Sequence, residues 1–302
     1  MKLVHGVARA AARLALGVGL PAFVAWAACG TAFAQQARLN VVAAENFYGD
    51  VAKQVGGDYV DVTSVLSNPD QDPHLFEASP KTARALQHAV LVVYNGADYD
   101  PWMDKLLAAS PNAKRTVIGA ASFVGAKSGD NPHLWYKPQT MPAVARAVSS
   151  ALSAADPAHK PQYEANLARF IQSLAPMDAR IEQLHKSYAG APVTATEPVA
   201  GYLCDALGLT MRNARFQLSV MNDTEPAPSD IVGFERDLRG KRVRVLIYNA
   251  QAVSKLTQRM LALAKQANVP AVSVTETQPA GKTYQQWMSG QIDALASALG
   301  ER

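Results

Sequence analysis

The chain has 302 residues, 49% of them hydrophobic, with 29 basic against 25 acidic side chains. Three of the basic residues fall within the first 13 positions, and without them 26 basic side chains face 25 acidic ones. This balance, with no basic stripe, gives no reason to expect nucleic-acid binding. The length is enough for a large core or two lobes of ordinary size.

The first 34 residues have the pattern of a secretory signal peptide. A basic segment comes first, with Lys2, Arg9 and Arg13. An apolar run follows at 14–28, too short for a membrane span, and residues 32–34 read Ala-Phe-Ala, a typical cleavage motif. Two alternatives stay open: an uncleaved N-terminal anchor, and a lipoprotein that carries its lipid on Cys29.

From residue 39 to residue 154, apolar strand patterns alternate with helical patterns. The predicted strands are 39–43, 60–65, 90–94 and 115–118, and the predicted helices are 47–55, 79–87, 102–109 and 141–154. Such alternation predicts a parallel sheet with helices on both faces. Ser79 is the predicted N-cap of its helix, with Pro80 in the first turn.

A long helical pattern and a second alternating series follow. Apolar residues recur at three- and four-residue steps over 157–188, and Pro176 interrupts them without breaking the phase, which predicts one kinked helix. Strands are then predicted at 193–196, 243–248 and 271–274, and helices at 200–207, 229–238, 252–267 and 284–299.

The predicted fold class is α/β, with two lobes that each contain a parallel sheet flanked by helices. One long rigid helix joins the lobes. The corresponding division is a signal peptide at 1–34, a first lobe at 35–156, a linking backbone helix at 157–189 and a second lobe at 190–302.

Two short segments of the first lobe repeat each other. Asp72–Phe76 reads Asp-Pro-His-Leu-Phe, and Asn131–Trp135 reads Asn-Pro-His-Leu-Trp. Proline fixes φ and removes a backbone donor, so His74 and His133 are expected on stiff loops rather than inside helices. Two stiffly held imidazoles in a chain with only six histidines indicate a prebuilt site, most simply for a metal ion.

Two carboxylates follow predicted strands of the second lobe. Glu197 comes after the strand that starts at Val193, and Glu276 after the strand that starts at Ala271. Ligands of open α/β sheets bind beyond the carboxyl ends of the strands. The sequence therefore predicts a metal site in the interlobe cleft with four ligands, His74, His133, Glu197 and Glu276. Two interpretations stay open for the loop acids Asp98, Asp100 and Asp223: they line the cleft, or they are surface charges, which is the interpretation we prefer.

With these motifs, the chain resembles the zinc- and manganese-uptake solute-binding proteins of ABC transporters (cluster A-I). The resemblance covers essentially the whole chain after the predicted signal peptide. Its most specific parts are the two Pro-His-Leu motifs, and further matches are Val41–Tyr48, Tyr94–Leu106, Glu197, Glu225–Ser229 and Glu276.

The resemblance implies a periplasmic protein that carries one ion to a membrane permease, driven by a separate ATPase. The chain has no G-x-x-x-x-G-K-[ST] loop and is not expected to hydrolyse ATP. It is expected to be a monomer without catalytic residues. A site with two nitrogens and two carboxylates, which can be bidentate, suits Mn²⁺ or Fe²⁺. However, most sites with such ligands bind Zn²⁺ more tightly than Mn²⁺. Mn²⁺ and Zn²⁺ remain level candidates, and Fe²⁺ ranks behind them.

Two other classes of function are weighed against this one. A secreted metal-dependent hydrolase would keep an open metal position for water and a nearby general base, but the chain has no H-E-x-x-H motif. A surface adhesin would use the metal structurally, and such a protein would unfold on metal removal.

Overall fold

The computed structural model describes residues 38–68, 76 and 79–300. The predicted signal peptide and His74 lie outside the described residues. No helix within the described part of the chain combines the length and the apolar character needed to cross a bilayer.

The first sheet consists of four parallel strands. These are β1 (Leu39–Glu45), β2 (Val60–Leu66), β3 (Leu91–Tyr94) and β4 (Thr116–Gly119), in the order β2-β1-β3-β4. The last five residues of β1 are all buried, because helices cover both faces of the sheet. β1 lies in the middle of the sheet, so its carboxyl end opens toward the predicted site.

The helices of the first lobe follow the predicted pattern. They are α1 (Asn46–Gly56), α2 (Pro80–His88), α3 (Pro101–Ala109), α4 (Ala120–Val124) and α5 (Thr140–Ala155). The predicted cap of α2 is present, since Ser79 Oγ accepts a hydrogen bond from Thr82 N at 3.2 Å. α4 was not predicted, because five residues are too few to establish a helical period.

The long helix α6 (Lys160–Tyr188) links the two sheets, and a single 3₁₀ turn at Pro157–His159 precedes it. Pro176 lies inside this helix without ending it. The buried positions keep one face throughout, which confirms the predicted period; they are Tyr163, Asn166, Phe170, Leu174, Met177, Ile181 and Leu184. The exact lobe boundaries remain a prediction.

The second sheet repeats the topology of the first. Its strands are β5 (Pro192–Ala195), β6 (Thr210–Arg212), β7 (Val245–Asn249) and β8 (Ala271–Val274), all parallel in the order β6-β5-β7-β8. Its helices are α7 (Gly201–Ala206), α8 (Ala214–Met221), α9 (Pro228–Arg239), α10 (Lys255–Gln266) and α11 (Tyr284–Leu299). The sequence analysis did not predict β6 or α8. β6 has only three residues, lies at the edge of the sheet and contains no run of buried residues.

Aromatic packing joins the two lobes beneath the cleft. The ring of Phe47 in α1 lies 4.6 Å from that of Trp135 and 5.8 Å from that of Trp287 in α11. Tyr284 at the start of α11 donates from its hydroxyl to the backbone oxygen of Trp135 at 2.7 Å. One buried apolar cluster therefore runs from β1 to α11, and the carboxyl ends of both sheets are held close together.

Candidate metal centre

His133 lies on a short, tightly packed loop of the first lobe. Pro132 precedes it, and a single 3₁₀ turn follows at Leu134–Tyr136. The side chain is 1% exposed, and its ring packs edge-on against Trp135 at 5.4 Å. The imidazole therefore has one fixed orientation, as the Pro-His-Leu motif predicted.

Asn131 determines which nitrogen of His133 carries the proton. Its Nδ2 donates to the backbone oxygen of Pro198 at 2.8 Å, so its Oδ1 faces the imidazole. That Oδ1 lies 2.6 Å from His133 Nδ1 and accepts its hydrogen bond. In the neutral imidazole Nε2 consequently has a lone pair, and no described residue gives this buried atom a hydrogen-bond partner. Metal-binding histidines are held in the same way.

Glu197 and Glu276 bring carboxylates to the same place from the second lobe. Glu197 follows β5 and is 7% exposed, and Glu276 follows β8 and is 2% exposed. Oε2 of Glu276 lies 3.6 Å from Nε2 of His133. Burying carboxylates is costly unless donors or cations satisfy them, and two carboxylates beside an imidazole are ligand types that a divalent metal ion accepts.

Asn249, the last residue of β7, connects the two carboxylates. Its Nδ2 donates to Oε2 of Glu197 and to Oε1 of Glu276, at 2.6 Å in each case. Gln251, two residues later, accepts at Oε1 from the backbone N–H of Glu276 at 2.6 Å. The carboxyl end of β7 thus positions acids that follow the strands on either side of it.

Tyr99 reaches the site from the loop before α3. Its hydroxyl donates to Oε2 of Glu276 at 3.1 Å. Burial, followed by the charge of Glu276, raises the pKa of Tyr99 well above its usual value near 10, so the hydroxyl remains a donor at neutral pH.

A second pair of acids, Glu45 and Asp100, lies buried in the first lobe. Glu45 ends β1 with no exposed surface, and Asp100 is 1% exposed, so the prediction that Asp100 is a surface charge was wrong. Asp100 accepts from the backbone N–H groups of Asn95 and Gly96 at 2.7 Å each, and these bonds hold its side chain inside the loop. Burial raises the pKa of Asp100 to about 6, and burial with the charge of Asp100 raises the pKa of Glu45 well above its usual range.

Three of the four predicted ligands lie together. His133 faces Glu276, Asn249 joins Glu276 to Glu197, and all three are buried. His74 lies outside the described residues. Within the described part of the chain, no group of three or more His, Cys, Asp or Glu side chains meets the geometry of a metal site.

Asn131, Asn249, Gln251 and Tyr99 were not predicted as parts of the site. A signal existed for Asn131, which opens the second Pro-His-Leu motif. A weaker one existed for Asn249, a polar residue at the carboxyl end of an apolar strand, where ligands of open sheets bind. Their partners are far away in the chain, so the sequence pattern could not show which atoms they bind.

The fold and this geometry define a class of protein: a two-lobed α/β binding protein with a buried, anionic, histidine-containing site between its lobes. The family described as "Zinc-uptake complex component A periplasmic" matches residues 41–298. The chain belongs to this family, and the predicted resemblance is confirmed.

Individual relatives are distant but match over nearly their full length. The metal ABC transporter substrate-binding lipoprotein ScbA of Streptococcus cristatus is 24% identical, over 93% of this chain and 97% of its own. The manganese ABC transporter substrate-binding lipoprotein PsaA of Streptococcus mitis is also 24% identical, over 87% of this chain and 90% of its own.

Among solved structures, the periplasmic zinc binding protein TroA from Treponema pallidum matches with a TM-score of 0.72. The two chains are 18% identical, and the match covers 87% of this chain and 100% of TroA. At this identity the likeness concerns the fold, and it confirms the predicted two-lobed α/β class.

Proposed function

We propose that this protein binds one divalent transition-metal ion between its lobes and delivers it to an ABC-type uptake permease. The observation that carries the proposal is the buried Nε2 of His133. Asn131 directs its lone pair outward, and it faces a carboxylate oxygen of Glu276 at 3.6 Å. A lone pair and a carboxylate at this separation leave room for an ion that both can bind.

The proposed ligands are His74, His133, Glu197 and Glu276. The geometry of the last three supports this set, and His74 enters on its sequence motif alone. Two imidazoles and two carboxylates form a donor set that Zn²⁺, Mn²⁺ and Fe²⁺ all accept. The names of the relatives point to manganese in PsaA and to zinc in TroA.

The surroundings of the site favour transport over catalysis. Every proposed ligand described is buried, and the acids beside His133 are engaged by Asn249 and Tyr99. A hydrolytic metal would need a free position for water and a base to activate it. We therefore propose that the protein is not an enzyme and that the ion is its cargo.

The partners and location follow from the same proposal. The permease accepts the ion outside the cytoplasmic membrane, and a separate ATPase drives transport. The predicted signal peptide supports a periplasmic protein released after Ala34, with a lipid anchor on Cys29 as the alternative. We expect it to work as a monomer.

The test is metal stoichiometry on the protein that begins at Gln35. It is unfolded with a chelator, refolded without metal, and offered Zn²⁺, Mn²⁺ and Fe²⁺ in turn, with bound ions counted by non-denaturing mass spectrometry. One ion per chain in the wild type and in His185→Ala, lost in both His74→Ala and His133→Ala, is the expected result. His185 is a suitable control because its side chain is exposed on α6.

An equal ion count in all four proteins would refute the proposed site. The metal-free protein should also remain folded by circular dichroism. If it unfolds completely without metal, a structural metal, as in the adhesin alternative, replaces the transport proposal.

A further inference from the structure

Three polar side chains of α1 face the second lobe at regular spacing. Asn46, Asp50 and Gln54 are four residues apart, so they lie on one face of the helix, and each is half-buried. We call these three residues the α1 stripe. They bind residues that are 232, 234 and 231 positions further along the chain.

Asn46 makes two hydrogen bonds to the backbone of a single residue, Gln278. Its Nδ2 donates to the backbone oxygen of Gln278 at 2.7 Å, and its Oδ1 accepts from the N–H of Gln278 at 3.1 Å. A flipped amide would place donor against donor and acceptor against acceptor, so these two bonds determine its orientation. Gln278 is 6% exposed, and water therefore has little access to the pair.

The other two residues of the α1 stripe hold the beginning of α11. Oδ2 of Asp50 accepts from the N–H of Tyr284, the first residue of that helix, at 2.7 Å. This N–H has no partner within its own helix. Gln54 and Gln285 exchange two hydrogen bonds between their side-chain amides, at 3.0 and 2.9 Å.

The segment held in this way is the loop that carries Glu276. Residues 275–283 connect β8 to α11 without helix or strand. On the side of the second lobe, Oε1 of Gln251 accepts from the N–H groups of Glu276 and Thr277 at 2.6 and 3.3 Å. One residue later the loop is bound by Asn46 of the first lobe, so both lobes restrain it.

We infer that Asn46 is a positioning residue that holds the loop of Glu276 against the first lobe and so slows release of the ion. Asp50 acts with it at the far end of the loop. The inference rests on the proposed function, since it concerns the same site. Movement of the loop withdraws Glu276 from the ion, and this movement breaks both hydrogen bonds between Asn46 and Gln278. Such restraints act mainly on dissociation rates.

Release of Zn²⁺ from Asn46→Ala tests the inference. The protein from Gln35 is loaded with Zn²⁺ and mixed with excess chromophoric chelator in a stopped-flow instrument. We expect release to be about tenfold faster than in the wild type, because two hydrogen bonds are lost. The association rate should stay within about threefold of wild type, with one ion still bound per chain.

The number of bound ions separates positioning from damage to the fold. A variant that is partly unfolded would bind fewer ions per chain and would release the remaining ions at the wild-type rate. Asn222→Ala, at an exposed asparagine, is the control and should release Zn²⁺ like the wild type. A release rate of Asn46→Ala within about twofold of wild type, less than the loss of one hydrogen bond produces, would overturn the inference.

Asp50 offers a conservative rescue. Asp50→Ala removes the acceptor of the Tyr284 N–H, and we expect release about threefold faster or more. Asp50→Asn keeps an oxygen that accepts from this N–H, so its release rate should lie close to that of the wild type. Asp58→Ala, at an exposed acid just after α1, is the matched control. Equally fast release from Asp50→Asn and Asp50→Ala would contradict the role of this hydrogen bond.

Amide hydrogen exchange tests the loop in the unaltered protein, whether or not the variants fold. The N–H of Gln278 is bound to the first lobe, whereas the N–H of Gln286 is bound to Thr283 of its own lobe. Zn²⁺ should slow exchange at Gln278 at least about tenfold more than at Gln286, because the bound ion holds the loop in place. Equal slowing at both amides would refute the inference.

The outcomes separate the two proposals. If the wild type binds no Zn²⁺, Mn²⁺ or Fe²⁺, the proposed function fails and this inference fails with it. If the wild type binds one ion and His133→Ala loses it, but Asn46→Ala releases Zn²⁺ at the wild-type rate, the function stands and the role of Asn46 is refuted.

Discussion

His133 and the pair of Glu197 and Glu276 face each other across one site, and they are held in different ways. His133 is positioned by its own segment, through Pro132 and the hydrogen bond from Nδ1 to Asn131, two residues earlier. The two acids are positioned by Asn249, which is 52 residues from one and 27 from the other. The position of His133 is therefore set by residues next to it in the chain. The arrangement of Glu197 and Glu276 requires β5, β7 and β8 to lie side by side.

The comparison predicts where substitutions matter most. Removing the imidazole removes a nitrogen ligand that no neighbouring residue can replace, because the loop is rigid. His133→Ala should weaken metal binding about a thousandfold, or ~4 kcal/mol, and leave the protein folded, with some loss of stability from the removed buried ring. Competition with a chromophoric chelator measures the affinity. His185→Ala is the control, and binding within fivefold of wild type in His133→Ala would contradict the assignment.

Glu197→Gln tests the carboxylate side with little change in shape. The substitution removes one negative charge and turns an acceptor of the Asn249 amide into a group that can also donate. We expect about a hundredfold loss of affinity, ~2.7 kcal/mol, with a larger loss for Mn²⁺ than for Zn²⁺, because Mn²⁺ prefers charged oxygen. Glu164→Gln, an exposed acid on α6, provides the matched control. A larger loss for Zn²⁺ would refute this role.

Asn131 sharpens the comparison, because its Oδ1 binds both the backbone N–H and the ring Nδ1 of His133. Asn131→Asp loses the hydrogen bond from Nδ2 to the backbone oxygen of Pro198 but keeps an oxygen for Nδ1 of His133, and it should retain affinity within a few-fold. Asn131→Leu removes it and should cost about 10–100-fold. Isothermal titration of Zn²⁺ into both variants measures the difference. Equal affinities would show that the tautomer of His133 is set by something else.

The smallest effect is expected on stability, at the buried acids of the first lobe. The pKa of Asp100 is about 6 in the folded protein, against about 4 for an unfolded chain. Between these values the folded state binds more protons, so the free energy of unfolding falls as the pH rises through this window. Burial and the charge of Asp100 raise the pKa of Glu45 in the same direction, so Glu45 adds a loss of the same sign, and Glu45→Gln removes that part.

Urea unfolding of Glu45→Gln at several pH values checks the sign. At pH 7.5 the variant should have a larger free energy of unfolding than the wild type, because it lacks the buried acid at position 45 whose pKa is raised. The advantage should shrink toward pH 4, where the wild-type acids are protonated. Asp58→Asn, at an exposed acid, should show no such trend. An advantage that grows as the pH falls would contradict the assignment.

Most of the fold could be predicted from the sequence, because its elements have strong local signals. Apolar runs in β1, β3 and β7 and the 3.6-residue period of α6 are properties of contiguous residues. The cap of α2 is likewise a local arrangement of Ser79 and Thr82. Three elements were not predicted. β6 and α4 are too short to show a period, and the short helix α8 was also missed.

The candidate site divides in the same way. The sequence by itself determined His133 as a stiffly held imidazole, because proline and the motif act within a few residues. It also indicated Glu197 and Glu276, since strand ends are recognisable. Only the tertiary structure decided that one amide, Asn249, binds both acids, that Tyr99 crosses the cleft to Glu276, and that Asp100 is buried. These contacts join residues distant in the chain, and their geometry depends on how the sheets and loops pack.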